Sequence, residues 1–192
     1  MTVEPKPKPL LERWKFTVDD FQRMAEVGLL KEDDRVELID GELIRMNPIG
    51  FGHGGHVKRL NRILSRGLDE RALLSIQDPL QIRPRGQPQP DIMVLRPRED
   101  DYSTSHPTAS DVLLLIEVAD SSLDYDLETK AAIYAQAGIA DYWVVNLVGS
   151  QIIVLRQPVD GSYRSVQTLV HGDILRPLAF PDLAIPVADI VG

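Results

Sequence analysis

The 192-residue sequence contains no cysteine, which removes disulfide frameworks, thiolate zinc sites and cysteine nucleophiles from consideration. No stretch approaches the ~20 consecutive apolar residues of a membrane-spanning helix. The opening MTVEPKPKP lacks the apolar core of a secretory signal. A reducing, cytoplasmic setting without a membrane partner is the expectation. Internal repeats and low-complexity blocks are missing too. What is there is ordinary for a globular chain, with 43% hydrophobic and 26% charged residues. The length suits about one domain. We therefore expect a flexible Pro/Lys-rich tail over 1–12 and a single domain over 13–192.

The net charge of −8 argues against a generic nucleic-acid binder, but the charge is unevenly spread. Residues 52–98 carry nine Lys/Arg against four acids, and residues 99–148 carry ten acids against one lysine, Lys130. A basic segment followed by an acidic one can place a polyanion-facing surface beside a cation-binding pocket. Ordinary surface charge is the plainer reading.

Thr17 and Asp20 have the spacing of a capping box, and Gly28 can end the helix they start. The run from Val36 to Met46 alternates around Asp40-Gly41, a strong hairpin signal. Val57, Leu60, Leu64 and Leu68 recur at helical spacing, with Lys58, Arg59, Arg62 and Arg66 on the other faces. Strands are expected at roughly 73–83, 91–96 and 112–118, then a helix near 125–137 and a strand over 142–145. The segment 112–118 is almost wholly apolar, as in a strand buried on both faces. Tyr142 and Trp143 are expected in the core. Turns at Gly149-Ser150 and Asp160-Gly161 close an antiparallel meander. The order from residue 53 is α-β-β-β-α-β, an α+β fold with one mixed sheet and hairpins at both ends.

Glu117 follows five apolar residues on an expected central strand, where a carboxylate is costly unless paired or metal-bound. Asp91 opens the preceding strand after Pro90. Neighbouring strands lie ~4.8 Å apart, so the two carboxylates can converge on one divalent cation. Oxygen ligands without cysteine suit Mg²⁺ or Mn²⁺. Crowded carboxylates repel, and at least one is expected to have a raised pKa. On that footing Asp91→Asn should leave the metal-free protein no less stable. Lys130 has two readings: a helical pair with Asp126 four residues earlier, or an ammonium turned into the carboxylate cluster. Gly50, Gly52 and Gly55 satisfy GxGxxG but follow a hairpin, not a strand of a βαβ unit. The amides at that helix start, with Lys58 and Arg59 nearby, can hold a DNA phosphate instead. His53 and His56 lack a third ligand of zinc-like spacing. One of them is expected to face the cleft.

These residues carry a resemblance. The α-β-β-β-α-β order, Pro90-Asp91 opening one strand and Glu117 ending the next resemble the PD-(D/E)XK nuclease superfamily. The stretches V36-E-L-I-D-G-E-L43, Q89-P-D-I92, E117-V-A-D-S-S122 and D126…K130…Y134-A-Q-A-G-I139…D141-Y-W-V-V145 resemble, more narrowly, the Uma-type restriction endonuclease family of bacteria. The likeness covers roughly 15–190. It implies a restriction-endonuclease-like core and Mg²⁺- or Mn²⁺-dependent hydrolysis of DNA phosphodiesters. Asp91 and Glu117 would bind the metal, Glu37 would complete the acidic cluster, and Lys130 would stabilise developing charge. His53, Lys58, Arg59 and Arg62 would contact nucleic acid, and a homodimer would cut both strands. One position departs from the superfamily pattern: the strand lysine two residues after Glu117 is Ala119. A catalytically silent binding or interaction module, or a metal hydrolase of another phosphorylated substrate, is therefore the alternative.

Overall fold

The structure is a computed structural model and describes residues 13–192 apart from Glu32, Asn47 and Ile49. The tail expected over 1–12 lies outside the described residues. Helix α1 (Val18–Glu26) starts at the Thr17–Asp20 capping box. Strands β1 (Val36–Ile39) and β2 (Glu42–Arg45) pair antiparallel. Asp40 (φ 45°) and Gly41 (φ 78°) make their turn. Gly41 is required twice over, by this left-handed backbone and because a Cβ there would meet Lys15 Cβ at 2.8 Å.

Helix α2 (Phe51–Leu68) buries Val57, Leu60, Leu64 and Leu68, the stripe read from the spacing. Strands β3 (Leu73–Ile76), β4 (Ile92–Leu95), β5 (Val112–Ala119), β6 (Asp141–Asn146), β7 (Gln151–Val159) and β8 (Ser162–Leu169) form one six-stranded sheet in that order. Only β5 and β6 run parallel; every other neighbouring pair is antiparallel. The expected strand over 73–83 is shorter. It stops at Ile76 because Gln77 takes positive φ (57°) and leaves the pleat.

Between β5 and β6 the chain makes a helical turn α3 (Leu123–Tyr125), a π turn (Asp126–Lys130) and α4 (Ala131–Gln136). After β8 come the short pair β9 (Ile174–Leu175) and β10 (Ile185–Pro186) and the helix α5 (Val187–Val191). No helix among the described residues is long and apolar enough to cross a membrane.

Strand periodicity divides the core between the sheet's two faces. Leu114, Ile116, Val118, Trp143 and Val145 pack with α2 and the C-terminal segment. Leu115, Ala119, Tyr142 and Val144 pack with Ala131 and Tyr134 of the crossover helix. Glu117 therefore belongs to the crossover-helix face, one residue out of phase with the α2 face. Ile92 pairs with Ile116, so Asp91 stands one rung further on, beside Glu117.

Candidate active site

Four elements meet at the Glu117 end of β5. Strand β1 brings Glu37, the entrance of β4 brings Asp91, and the π turn brings Asp126 and Lys130. All five residues are nearly out of solvent: Glu37, Glu117 and Asp126 at 3% exposure, Lys130 at 7%, Asp91 at 8%. The π turn is widened by one residue, with Ala131 N–H bonding to the Asp126 carbonyl. That carbonyl also accepts from Tyr142 Oη at 3.0 Å, and Ser122 Oγ donates to Asp126 Oδ2 at 2.6 Å. The turn is thereby anchored with Asp126 and Lys130 both facing inward.

Lys130 does not choose Asp126 alone. Its Nζ lies 3.0 Å from Glu117 Oε1, 3.6 Å from Glu37 Oε1 and 3.8 Å from Asp126 Oδ1. Tyr134 Oη donates to the same Glu117 Oε1 at 2.8 Å, and the Asp91 N–H approaches Glu117 Oε2 at 3.4 Å. Glu37 is fixed by the Gln89 N–H at 2.7 Å. Asp91 Oδ2 accepts from the Val118 N–H at 2.8 Å and pairs with His53 Nε2 at 2.9 Å, while Gln77 Nε2 donates to Oδ1 at 3.1 Å. Ala119 fills the strand-lysine position with a buried methyl, and Lys130 reaches the cluster from the crossover instead.

These environments separate the acids. Burial pushes Glu117 up to about 8 against the pull of Lys130, with Asp91, Asp126 and Glu37 adding repulsion. Burial also raises Asp126. For Asp91, burial opposes ionisation, but hydrogen bonds from His53, Val118 and Gln77 outweigh it and hold its pKa below the usual carboxylate range. His53 is raised by the Asp91 hydrogen bond against burial. Burial works against the Lys130 charge, yet the fields of Glu117, Glu37 and Asp126 raise its pKa above an ordinary lysine's.

The cluster floors a cleft of about 360 Å³ whose walls include His53, Tyr125 and the exposed Arg35 and Arg45. Lys58, Arg59 and Arg62 are not among the residues lining it. Arg59 and Arg62 instead border a groove against α5, where Arg59 Nη1 donates to the Ile190 carbonyl at 3.1 Å. Lys58 and Arg62 lie exposed on the outer face of α2. His56 is occupied by a 2.8 Å contact between its Nδ1 and the Gly52 carbonyl. Gln77, Tyr125, Arg35 and Arg45 were not singled out by sequence, and Tyr134 entered only as part of a stretch carrying the family resemblance, without a role. The two arginines had a usable signal, as basic residues flanking the hairpin that carries Glu37.

Among the described residues, no three His, Asp or Glu side chains stand ready as a metal-binding group. The carboxylate oxygens are instead engaged by Lys130, Tyr134, His53, Gln77, Ser122 and the Gln89 and Val118 N–H groups. The chemistry of the donor set nonetheless fits a hard dication. Glu37, Asp91, Glu117 and Asp126 share the floor with one ammonium and one imidazole, more acids than cations. Mg²⁺ needs only one or two protein carboxylates because it keeps several waters. Asp91 and Glu117 can supply them.

A mixed sheet with acids on adjoining strands and a helical crossover beside them puts the chain among restriction-endonuclease-like α+β folds. The crystal structure of "a putative nuclease" from Anabaena variabilis shares this fold, with a TM-score of 0.73 at 15% identity over 92% of this chain and 97% of that one. The chain belongs to the Uma2 family, described as "putative restriction endonuclease", whose pattern matches residues 18–188. No curated protein matches it.

Proposed function

We propose that this protein is a divalent-metal-dependent endonuclease that hydrolyses DNA phosphodiesters, with Asp91 and Glu117 holding Mg²⁺ or Mn²⁺. The observation that carries this reading is the Lys130 ammonium, buried among Glu37, Glu117 and Asp126 in the cleft that also contains Asp91. A solvent-facing helical pair would have no reason to be there.

A cation held by Asp91 and Glu117 would supply Lewis acidity toward the phosphate and lower the pKa of the attacking water. In hydrolysis the water oxygen forms a bond to phosphorus as the bond to the leaving sugar oxygen breaks. The proton lost by water balances the one gained by the released alcohol. Lys130 offsets negative charge developing on the phosphoryl oxygens. Glu37 and Asp126 hold that ammonium in place, and Gln77, His53 and the Val118 amide fix the orientation of Asp91. Arg35 and Arg45 draw the phosphate backbone to the cleft mouth, and His53 contacts nucleic acid there. Lys58 and Arg62 meet phosphates further along the duplex. A homodimer would present one such site to each strand.

The test is cleavage of supercoiled and linear DNA with Mg²⁺, Mn²⁺ or EDTA, using the parent, Glu117→Gln and Lys130→Met. We expect metal-dependent cutting by the parent alone. Salt-sensitive DNA binding without cutting would replace this reading with a binding module, and turnover of nucleotides without DNA cleavage would make the protein a different metal hydrolase.

A further inference from the structure

Three buried side-chain polar atoms among the described residues have no hydrogen-bond partner, and two of them, His53 Nδ1 and Tyr125 Oη, belong to residues lining the cleft. A buried polar atom without a partner is costly, on the scale of a lost hydrogen bond. Tyr125 is the more informative of the two because its surroundings are rich in acceptors that it does not use. Glu37, Asp126 and Glu117 all lie close enough to act on its phenol electrostatically. Glu37 accepts from Gln89 instead, Asp126 from Ser122, and Glu117 from Tyr134 and Lys130. Tyr134 makes the contrast plain: its hydroxyl is committed to Glu117 and its ring is fully buried.

We propose that Tyr125 touches the substrate, donating its phenolic O–H to a non-bridging oxygen of the phosphodiester in the cleft. The inference deepens the nuclease reading and rests on it. Burial and the neighbouring acids push the Tyr125 pKa up to about 12 against the pull of Lys130, so the phenol keeps its proton through the neutral range and acts as a donor. Negative charge accumulates on the non-bridging oxygens as phosphoryl transfer proceeds. A donor directed at them is worth more in the transition state than in the bound ground state. Tyr125 also stands on α3, one residue before the π turn that carries Asp126 and Lys130, so donor and ammonium are set by the same short segment.

The test compares Tyr125→Phe with Tyr134→Phe in three measurements: cleavage kinetics with Mn²⁺, binding of a short oligodeoxynucleotide with Ca²⁺, and thermal melting. Removing an unpartnered hydroxyl leaves the melting temperature of Tyr125→Phe unchanged or raised. Its kcat falls by on the order of 100-fold, as for loss of one oxyanion donor, with a smaller change in KM. Its oligonucleotide affinity falls roughly 3- to 10-fold, as for a lost hydrogen bond. Tyr134→Phe should melt lower than the parent. A Tyr125→Phe variant that cuts and binds like the parent overturns the proposal, and so does one that melts lower with unchanged kcat. If the parent binds the oligonucleotide but never cuts, the nuclease reading fails, and the binding loss in Tyr125→Phe still establishes the contact. If the parent neither binds nor cuts, both fail.

Discussion

Glu117 sits between burial, which disfavours its charge, and Lys130, which favours it, and burial prevails. A folded-state pKa of about 8 means the native protein holds this proton more tightly than the unfolded chain, whose glutamate titrates near 4.5. Its contribution to stability is complete below pH 4.5 and is lost as pH rises through 8. Metal-free parent protein should lose stability across that window, and Glu117→Gln should flatten the loss, as read by urea unfolding at successive pH values. His53 titrates with the same sign above 6.5, so the Glu117 share is the difference between parent and variant. Asp91 behaves oppositely. Its lowered pKa contributes stability above pH 3.8 that disappears as pH falls through the folded value. The lowered pKa of Asp91 argues against the expectation that Asp91→Asn is harmless without metal: the raised acids are Glu117 and Asp126. At pH 7 Asp91→Asn should cost about 1.5–3 kcal/mol, the scale of hydrogen bonds to a charged group. The deficit against the parent should narrow below pH 3.8, and calorimetry in EDTA at the two pH values would measure it.

At the scale of elements, α2 has three distinct faces. One buries Val57, Leu60 and Leu64 against the sheet, one places His53 in the cleft, and one leaves Lys58 and Arg62 exposed. Arg59 differs from its neighbours because it holds the Ile190 carbonyl near the end of α5, where a cation also complements the helix dipole. Reversing its charge would loosen α5 and confuse any binding measurement. Lys58→Glu and Arg62→Glu are the clean substitutions. They should weaken DNA affinity for all sequences alike and lower the slope of log K against log salt by roughly one per lost contact, without changing the melting temperature. Fluorescence anisotropy over a salt series would show it. An unchanged slope would make the two residues solvated surface only.

At the scale of the whole molecule, the fold brings Glu37 of β1 and Lys130 of the π turn, 93 positions apart in the chain, to 3.6 Å. A cation binding only the folded arrangement adds RT ln(1 + [L]/Kd), about 2.7 kcal/mol at one hundred times Kd. For a chain of this size that corresponds to roughly 5–10 °C. Mn²⁺ should raise the parent's melting temperature by that order and leave Glu117→Gln nearly unmoved. An equal shift in both would place cation binding elsewhere.

The sequence alone determined whatever depends on neighbours along the chain. The hairpin at Asp40-Gly41, the capping box at Thr17, the apolar stripe of α2 and the strand–helix–strand unit around β5 and β6 follow from periods and turn residues. Asp91 and Glu117 stood out for the same reason, each being an acid where a strand pattern calls for something else, and Lys130 as the one lysine of an acidic segment. Tertiary structure decided where these side chains point. Whether Lys130 pairs with Asp126 or enters the cluster depends on a π turn, and nothing in its local sequence declares that extra residue. Gln77 and Tyr125 reach the cleft only through a positive φ and a helical turn, and Tyr134 reaches Glu117 only through packing against a distant strand. Which acid keeps its proton was also a tertiary matter. Ionisation is set by burial and by donors brought from other elements, and these are distances in space that the order of residues does not contain.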